Sequence, residues 1–230
     1  MSDSLVILGA GGNVYDLLDI VEALSAAGHD WKVAGYLDDT RPPGTMHIGF
    51  PVLGPLRDAM RFQEHMFISA IRNEKTHQRS PEILAVTGLP LERFATLVHP
   101  GAGVSSYARL GRGVYVNYGA SVAGGVVLGN HASVGPGCIV GHQTVIEDHV
   151  ILAPGAIISG EVHVEQCTYV GAGAVVRQRL RLGARSLIGM GAVVVRDVKA
   201  GSVVVGNPAR SLAKVSTDQK ERSSRCCQSL

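Results

Sequence analysis

Cysteine is scarce: the four in 230 residues, Cys138, Cys167, Cys226 and Cys227, have neither metal-ligand spacing nor the pattern of a disulfide framework, which points to a reducing cytoplasm. Charge is sparse as well, at 17% of residues, and nearly balanced, with 21 basic against 19 acidic side chains and a formal net charge of +2. Such a balance supplies no general attraction to nucleic acid or to an acidic membrane surface. Aromatic residues make up only 5% of the chain, too few to cement a helical bundle, while glycine is plentiful at 29 residues. No apolar run approaches the roughly 18 residues that span a bilayer. The N-terminus passes from Met1-Ser2-Asp3 straight into the strand-like Leu5-Val6-Ile7-Leu8, unlike a signal peptide. Cys227-Gln228-Ser229-Leu230 matches a prenylation box only formally, because neither middle residue is aliphatic and no polybasic run precedes it. With 46% hydrophobic residues the chain is apolar and long enough to bury one or two cores.

What the sequence does have is a period of six. From Val98 to Val194 every sixth residue is aliphatic, seventeen in succession, and the position four further on is nearly always small, from Ala102 through Cys138 and Thr144 to Ala192 and Val198. A helix requires recurrence near 3.6 residues and an ordinary strand near 2, so a strict six predicts short strands wound into a parallel β-helix. The aliphatic side chain then points into the core and the small one fits the corner. Gly111, Gly129, Gly135, Gly141, Gly171, Gly183 and Gly189 follow the aliphatic position directly and are expected to be the turn residues with unusual backbone conformation. Three sides closing a coil give about 18 residues per turn and between five and six turns.

Residues 1–95 follow a different grammar. Leu5–Leu8 reads as a buried strand, Gly9-Ala10-Gly11-Gly12 as a turn, and Val14–Ala27 as a helix with Leu17, Leu18, Val21 and Leu24 at helical spacing. Val33–Leu37 predicts a second strand ending at Asp38-Asp39, Pro51-Val52-Leu53 a turn, Phe67–Ile71 a third strand, and Pro81 the start of another helix. The expected fold is therefore an α/β, Rossmann-like half domain over 1–95, a left-handed parallel β-helix over 96–212, and a polar, disordered tail over 213–230.

This order of elements resembles the bacterial hexapeptide-repeat sugar acyltransferases, which include sialic acid O-acetyltransferases and nucleotide-linked amino-sugar N-acetyltransferases. The resemblance runs from about residue 5 to 212. Its carriers are Leu8-Gly9-Ala10-Gly11-Gly12, Gly35-Tyr36-Leu37-Asp38-Asp39, Gly141-His142, Ala153-Pro154-Gly155-Ala156, Gly171-Ala172-Gly173-Ala174 and Val205-Gly206-Asn207-Pro208-Ala209-Arg210. Four positions depart from the family pattern. Asn13 stands where a histidine usually follows the double glycine, Gln143 where an acid follows the catalytic histidine, Ile151 where a second histidine lies near the acyl-CoA, and Gly135 where an asparagine is usual.

The Gly9–Gly12 turn directs backbone N–H groups and a helix N-terminus toward the end of the first strand, either to hold a phosphate of a nucleotide diphosphate through Gly11, Gly12 and Asn13 or simply to pack strand on helix. Val14 replaces the third glycine of a dinucleotide fingerprint, so hydride transfer is disfavoured. Asp38 and Asp39 end a strand where a ribose or base would hydrogen-bond, or are merely exposed strand-end acids. Between Arg177 and Lys214 eight basic residues face one acid, Asp197, whereas from Val98 to Val176 two face four. The last coils are thus either a docking surface for the phosphates of coenzyme A, with Arg210 and Lys214 as contacts, or a solvated end cap. Of the repeat-region histidines His131, His142, His149 and His163, only His142 occupies the family's catalytic position. The resemblance implies that it acts as general base for attack on a thioester; Gln143 lacks the charge of the family's orienting acid, but its amide oxygen can accept a proton-bearing imidazole nitrogen, and Glu147 and Asp148 are the substitutes. Counting 18 residues onward reaches Gly160, expected beside it, whose N–H by resemblance stabilises the oxyanion. Gly160, Ala172 and Met190 match positions along the acyl-CoA groove. The histidine spacings, 11, 7 and 14, lack the close ligand pair of a β-helix zinc site, so no metal is expected.

The resemblance implies an acetyl-CoA-dependent N-acetyltransferase acting on a nucleotide-linked amino sugar, assembled as a homotrimer in the cytoplasm, without nucleic-acid or membrane partners. The alternatives are O-acetylation of a sialic-acid-like sugar and a non-catalytic nucleotide-sugar-binding trimer.

Overall fold

The computed structural model describes residues 3–212; Lys214 and the tail lie outside the described residues. The first sheet comprises β1 (Asp3–Leu8), β2 (Trp31–Leu37), β3 (Met46–His47), β4 (Phe50–Gly54) and β5 (Met66–Ser69), in the order β3-β4-β2-β1-β5. It is parallel except for the β3–β4 pair. Helix α1 (Val14–Ala26) buries Val14, Leu17, Ile20, Val21 and Leu24, the stripe that helical spacing predicts. They pack against Leu5 and Ile7 of β1. Val6 and Leu8 face the other way, onto Leu37, Phe67 and Phe94. Both faces of β1 are therefore covered, which is why its sequence is a continuous apolar run rather than an alternation. A short helix α2 (Ser80–Ala85) begins one residue before Pro81.

Two expectations about this region are corrected. Pro51-Val52-Leu53 is strand, not turn. Pro51 lies in the antiparallel β3–β4 pair opposite Met46, and Val52 N–H donates to Thr45 O at 2.9 Å, so the missing proline donor falls where the sheet tolerates it. The third strand ends at Ser69 rather than Ile71. Asn13 Nδ2 donates to the carbonyls of Ala70 and Arg72, at 3.2 and 2.5 Å, drawing the chain away from the ladder.

From Leu97 the chain winds into the left-handed β-helix. Two-residue strands stack in three sheets, each pairing residue i with i+18, as in Leu97↔Tyr115, Ser121↔Ile139 and Val145↔His163. The aliphatic and small positions form one continuous core through the coils. The period fails at the end, where Leu182 pairs with Val198 and Leu187 with Val203, a step of 16. Val198 thus takes an aliphatic slot rather than the small one that strict counting gave it.

The turn glycines are also reassigned. None of Gly111, Gly129, Gly135, Gly141, Gly171, Gly183 and Gly189 has positive φ. A Cβ there would collide with the next coil; at Gly141 it would stand 2.5 Å from Gly160 N. The left-handed residue comes two positions later. Glycine fills that slot at Gly119, Gly137 and Gly155, but His131, Gln143, His149, Glu161, Cys167, Arg179 and Arg185 adopt it at φ 56–62°.

Candidate active site

The corner after strand Ile139–Val140 carries His142. Gly141 lies against the backbone of the next coil, Thr144 is buried with its hydroxyl donating to Ser159 O at 3.0 Å, and between them His142 is exposed. Glu161 N–H donates to His142 O at 2.8 Å, which sets residue 142 over residue 160. A Cβ at Gly160 would stand 2.6 Å from His142 Nε2 and 2.8 Å from Cε1. The imidazole therefore lies directly over Gly160, and only glycine leaves it room. Gly160 N–H makes no hydrogen bond among the described residues, so a donor and a base share one small patch, the pairing that acyl transfer needs.

The proposed orienting groups do not reach this histidine. Glu147 Oε1 is 2.5 Å from His163 Nε2 while its other oxygen accepts from Gln166 N–H, and Asp148 accepts from Asn130 N–H at 2.7 Å. Both acids stand at the following corner, a strand away. Gln143 packs its side-chain methylene on Gly125 and makes no side-chain hydrogen bond to His142. The acid that senses His142 is Glu161, missed by sequence reasoning and signalled only by its place 18 residues after Gln143. Hydrogen bonds from Arg179 chiefly hold its carboxyl below the usual range against the opposing effect of desolvation, with the charges of Arg179 and, least, of His142 adding to them.

Gly11, Gly12, Asn13, Asp38 and Asp39 come together on one cavity of about 390 Å³ at the carboxyl ends of β1, β2 and β5. A second cavity, about 580 Å³, continues past Asp38–Arg41 to Arg57. Asp38, 9% exposed, has both oxygens engaged. One accepts from Ala10 N–H at 2.7 Å, the other from Thr40 N–H at 2.7 Å, the Thr40 hydroxyl at 2.5 Å and Arg41 N–H at 3.1 Å. Burial pushes its pKa up, but these hydrogen bonds together outweigh it and the carboxyl lies below its ordinary value. Asp38 thus braces the glycine turn, and exposed Asp39, which accepts from Leu56 N–H at 2.9 Å, is the acid left facing the cavity. Arg41, not singled out from sequence, lines both cavities and donates to Ala10 O.

The basic cluster divides. Arg179, Arg181 and Arg185 pair with Glu161, Glu165 and Glu82. Arg196, Lys199 and Arg210 have no ion pair among the described residues and line one cavity of about 330 Å³. Ala172 and Met190, the latter 77% exposed, stack on a different corner from His142. The strands Ile139–Val140, Ile157–Ile158 and Val175–Val176 lie between. Asn13, Gly135 and Ile151, three of the four departures from the family pattern, meet on one small cavity. His131 and His149 are spent where the first sheet docks on the β-helix, His131 against Phe94 and His149 with Nδ1 2.9 Å from Ser80 Oγ. Among the described residues no three histidine, cysteine or acidic side chains are grouped to hold a metal ion, and no helix is long and apolar enough to cross a membrane.

Residues 125–160 match the family model described as bacterial transferase hexapeptide (six repeats). No curated protein matches the sequence. Among solved structures, the acetyltransferase domain of PglB from Neisseria gonorrhoeae FA1090 in complex with acetyl coenzyme A is 31% identical, with a TM-score of 0.78 over 92% of this chain and 100% of that one. A histidine variant of perosamine N-acetyltransferase from Caulobacter crescentus in complex with CoA and GDP-perosamine is 28% identical, with a TM-score of 0.78 over 92% and 97%. WeeI from Acinetobacter baumannii AYE is 27% identical, with a TM-score of 0.77 over 92% and 100%. By fold, repeat and full-length similarity, the chain belongs to the hexapeptide-repeat sugar acyltransferases.

Proposed function

We propose that this protein transfers the acetyl group of acetyl-CoA to the amino group of a nucleotide-linked amino sugar, with residues 1–95 holding the nucleotide and 96–212 performing the transfer. The observation that carries the reading is the exposed His142 imidazole lying over the free N–H of Gly160. Relatives whose complexes hold acetyl coenzyme A, or CoA with GDP-perosamine, support it. The sugar amine attacks the thioester carbonyl as neutral His142 takes its proton, so nucleophilicity is generated as the bond forms. Negative charge gathers on the carbonyl oxygen, where Gly160 N–H is already in place to receive it. The tetrahedral centre then collapses, the C–S bond breaks, and the proton on His142 goes to the departing thiolate of coenzyme A. No covalent acyl-enzyme forms.

In one chain His142 and the nucleotide cavity occupy different places. The first domain docks through Arg72, His77, Gln78 and Ser80 onto the corner carrying His131, His149, Cys167 and Arg185, one β-helix side from His142. Ala172 and Met190 sit on the third corner. A homotrimer with acyl-CoA grooves between adjacent β-helices brings these three corners together, and it is the assembly we propose. Arg196, Lys199 and Arg210 would receive the coenzyme A phosphates. The enzyme would act in the cytoplasm, where buried, unpaired Cys138 and Cys167 stay reduced.

The test is thiol release from acetyl-CoA with UDP-, GDP- and dTDP-linked amino sugars, followed by mass spectrometry of the product. His142→Ala should lower kcat by roughly 10²–10⁴-fold with both ligand affinities retained. Near-normal turnover of His142→Ala on the identified substrate would remove the general base. Stabilisation by a nucleotide sugar without thiol release would identify a binding protein instead.

A further inference from the structure

Behind the edge that carries His142, the inward column taken in steps of 18 runs Ala108, Val126, Thr144, Val162 and Leu180. Four of these are hydrocarbon and belong to the core of the β-helix or pack against it. Thr144 alone is polar, and it is fully buried. A hydroxyl taken out of water must be hydrogen-bonded or it costs stability, and this one stands on the coil of His142.

Its two bonds account for its place. The Thr144 hydroxyl donates to Ser159 O at 3.0 Å and accepts from Val162 N–H at 3.3 Å. Ser159 and Val162 are the two ends of the turn that presents Gly160. On the glycine-rich edge the matching turns close on themselves, as where Ala156 N–H donates to Ala153 O at 3.2 Å and Ala174 N–H to Gly171 O at 3.1 Å. Among the described residues no backbone N–H donates to Ser159 O, and the Thr144 hydroxyl fills the opening. The turns 123–126, 141–144 and 177–180 of the same edge also lack a closing backbone bond, but only at 159–162 does a side chain span the gap.

Ser159 O and Gly160 N–H belong to one trans peptide group, so the carbonyl and the N–H point in opposite directions. Holding the oxygen inward at Thr144 therefore holds the N–H outward. The accepted bond also polarises the peptide and strengthens its N–H as a donor. The next peptide is fixed without Thr144, by Glu161 N–H on His142 O at 2.8 Å and by Arg179 N–H on Gly160 O at 3.1 Å.

We propose that Thr144 is a positioning residue for acyl transfer, which through Ser159 O aims the Gly160 N–H at the carbonyl oxygen that gathers negative charge. The proposal rests on the acetyl-transfer reading above. Thr168 supplies the comparison: its hydroxyl donates to Gly183 O at 3.1 Å on the edge that docks the first domain, but there Ser186 N–H already closes the turn onto the same oxygen at 3.2 Å.

The experiment compares wild type with Thr144→Val, Thr144→Ala, Thr144→Ser and Thr168→Val, by thermal melts and by thiol release from acetyl-CoA with GDP-perosamine and UDP- and dTDP-linked amino sugars. Outright loss of an oxyanion donor costs about 10²–10³-fold in kcat, so a donor left in place without its brace should cost about tenfold. Thr144→Val and Thr144→Ala should show that loss in kcat with both KM values unchanged, because the contact forms only in the transition state. Thr144→Ser keeps the hydroxyl and should recover most of the rate lost in Thr144→Ala. Thr168→Val should melt lower yet turn over like wild type. If Thr144→Val does not fold, the alanine and serine variants, which differ by the hydroxyl alone, decide the matter. Unchanged kcat in the hydroxyl-free variants, or an equal loss in Thr144→Ser or Thr168→Val, overturns the role of Thr144 while the enzyme assignment stands. Wild type that releases no thiol with any of these acceptors overturns the acetyl-transfer reading, and the role of Thr144 with it.

Discussion

Placing one methyl group on Gly160 should separate catalysis from stability. An alanine Cβ there would lie 2.6 Å from Nε2, 2.8 Å from Cε1 and 3.0 Å from Cδ2 of His142, against a comfortable separation of about 3.5 Å. The obstacle is the end of an exposed side chain, and Gly160 is not among the glycines with positive φ, so the backbone accepts alanine and the imidazole gives way. Relief requires the ring to move by about 1 Å, a displacement that costs on the order of 10²-fold in rate. Gly141→Ala is the control from the same corner. Its Cβ would meet Gly160 N at 2.5 Å and the Ser159 carbonyl carbon at 2.6 Å, backbone atoms that cannot turn aside. Overpacking of this kind costs about 1–3 kcal/mol, or about 2–4 °C of Tm per kcal/mol at this chain length. Thiol release and thermal melts on the same preparations should give Gly160→Ala a near-native Tm with kcat down about 10²-fold, and Gly141→Ala a clearly lower Tm. Wild-type turnover in Gly160→Ala, or equal loss of stability in the two variants, would refute the proximity argument.

Acid should loosen the junction between the first domain and the β-helix. Burial, with His149 and Arg72 adding to it, lowers the His131 pKa to about 3; burial and Arg72, opposed by Asp148 and Glu82, lower His149 to about 4; burial also lowers His77 despite its contact with Cys167 O. These bases are depressed in the folded state, so below about pH 6.5 the unfolded chain binds protons that the native one does not. Stability is then complete above that pH and declines toward pH 4 by at most about 1.4 kcal/mol per pH unit for each histidine; urea titrations at pH 7.5 and 5.5 that coincide would contradict this. At the other end of the molecule, Arg210→Glu should raise the acetyl-CoA KM by about tenfold, equivalent to roughly 1.4 kcal/mol, and the wild-type KM should rise with salt because exposed charges are screened within roughly 8 Å at physiological ionic strength. A KM insensitive to both would leave Arg210 a solvated end cap.

The β-helix was legible because its signal is redundant: one aliphatic in six, repeated from Val98 to Val194, outweighs any local ambiguity. The juxtaposition of His142 and Gly160 followed by counting one coil, which is why it too could be read. What could not be read depends on hydrogen bonds rather than period. Asp38 looked like a ligand contact, yet besides its local bonds to Thr40 and Arg41 it accepts from Ala10 N–H, a partner identifiable only once β1 and β2 are side by side. Glu147 and Asp148 are close to His142 in sequence, but the strand Val145–Ile146 carries them to the next corner, and in a β-helix the neighbour that matters is 18 residues away. Pro51 read as a turn because sequence alone does not distinguish a central strand from a hairpin partner that can spare a donor. Arg72 was silent because the carbonyls that hold it come from His131 and Gly113, far along the chain.

The left-handed slot at each corner records a division of labour among the three edges of the prism. A non-glycine residue in that conformation costs on the order of 1 kcal/mol, so each one needs a compensating contact or a task. On the edge with Gly119, Gly137, Gly155, Gly173 and Gly191 the slot is always glycine, and beside it stand Tyr118, Pro136, Pro154, Ala172 and Met190, a smooth apolar column suited to the neighbouring copy of the proposed trimer. On a second edge the slot begins with Gly113 and is then held by His131, His149, Cys167 and Arg185, and each of these four meets the first domain, through Phe94, Ser80, His77 and Gln78 or Glu82 in turn. There the local cost is offset by the docking of a whole domain. The third edge has Gly125 and then Gln143, Glu161 and Arg179 in the slot, polar residues flanking His142 and Gly160, the last two joined as an ion pair. No domain of the same chain covers this edge, and under the proposed mechanism it is the one that presents His142 and Gly160 to substrate. A substitution by glycine at Gln143, which would relieve the left-handed cost without touching either group, should therefore raise Tm and leave turnover unchanged.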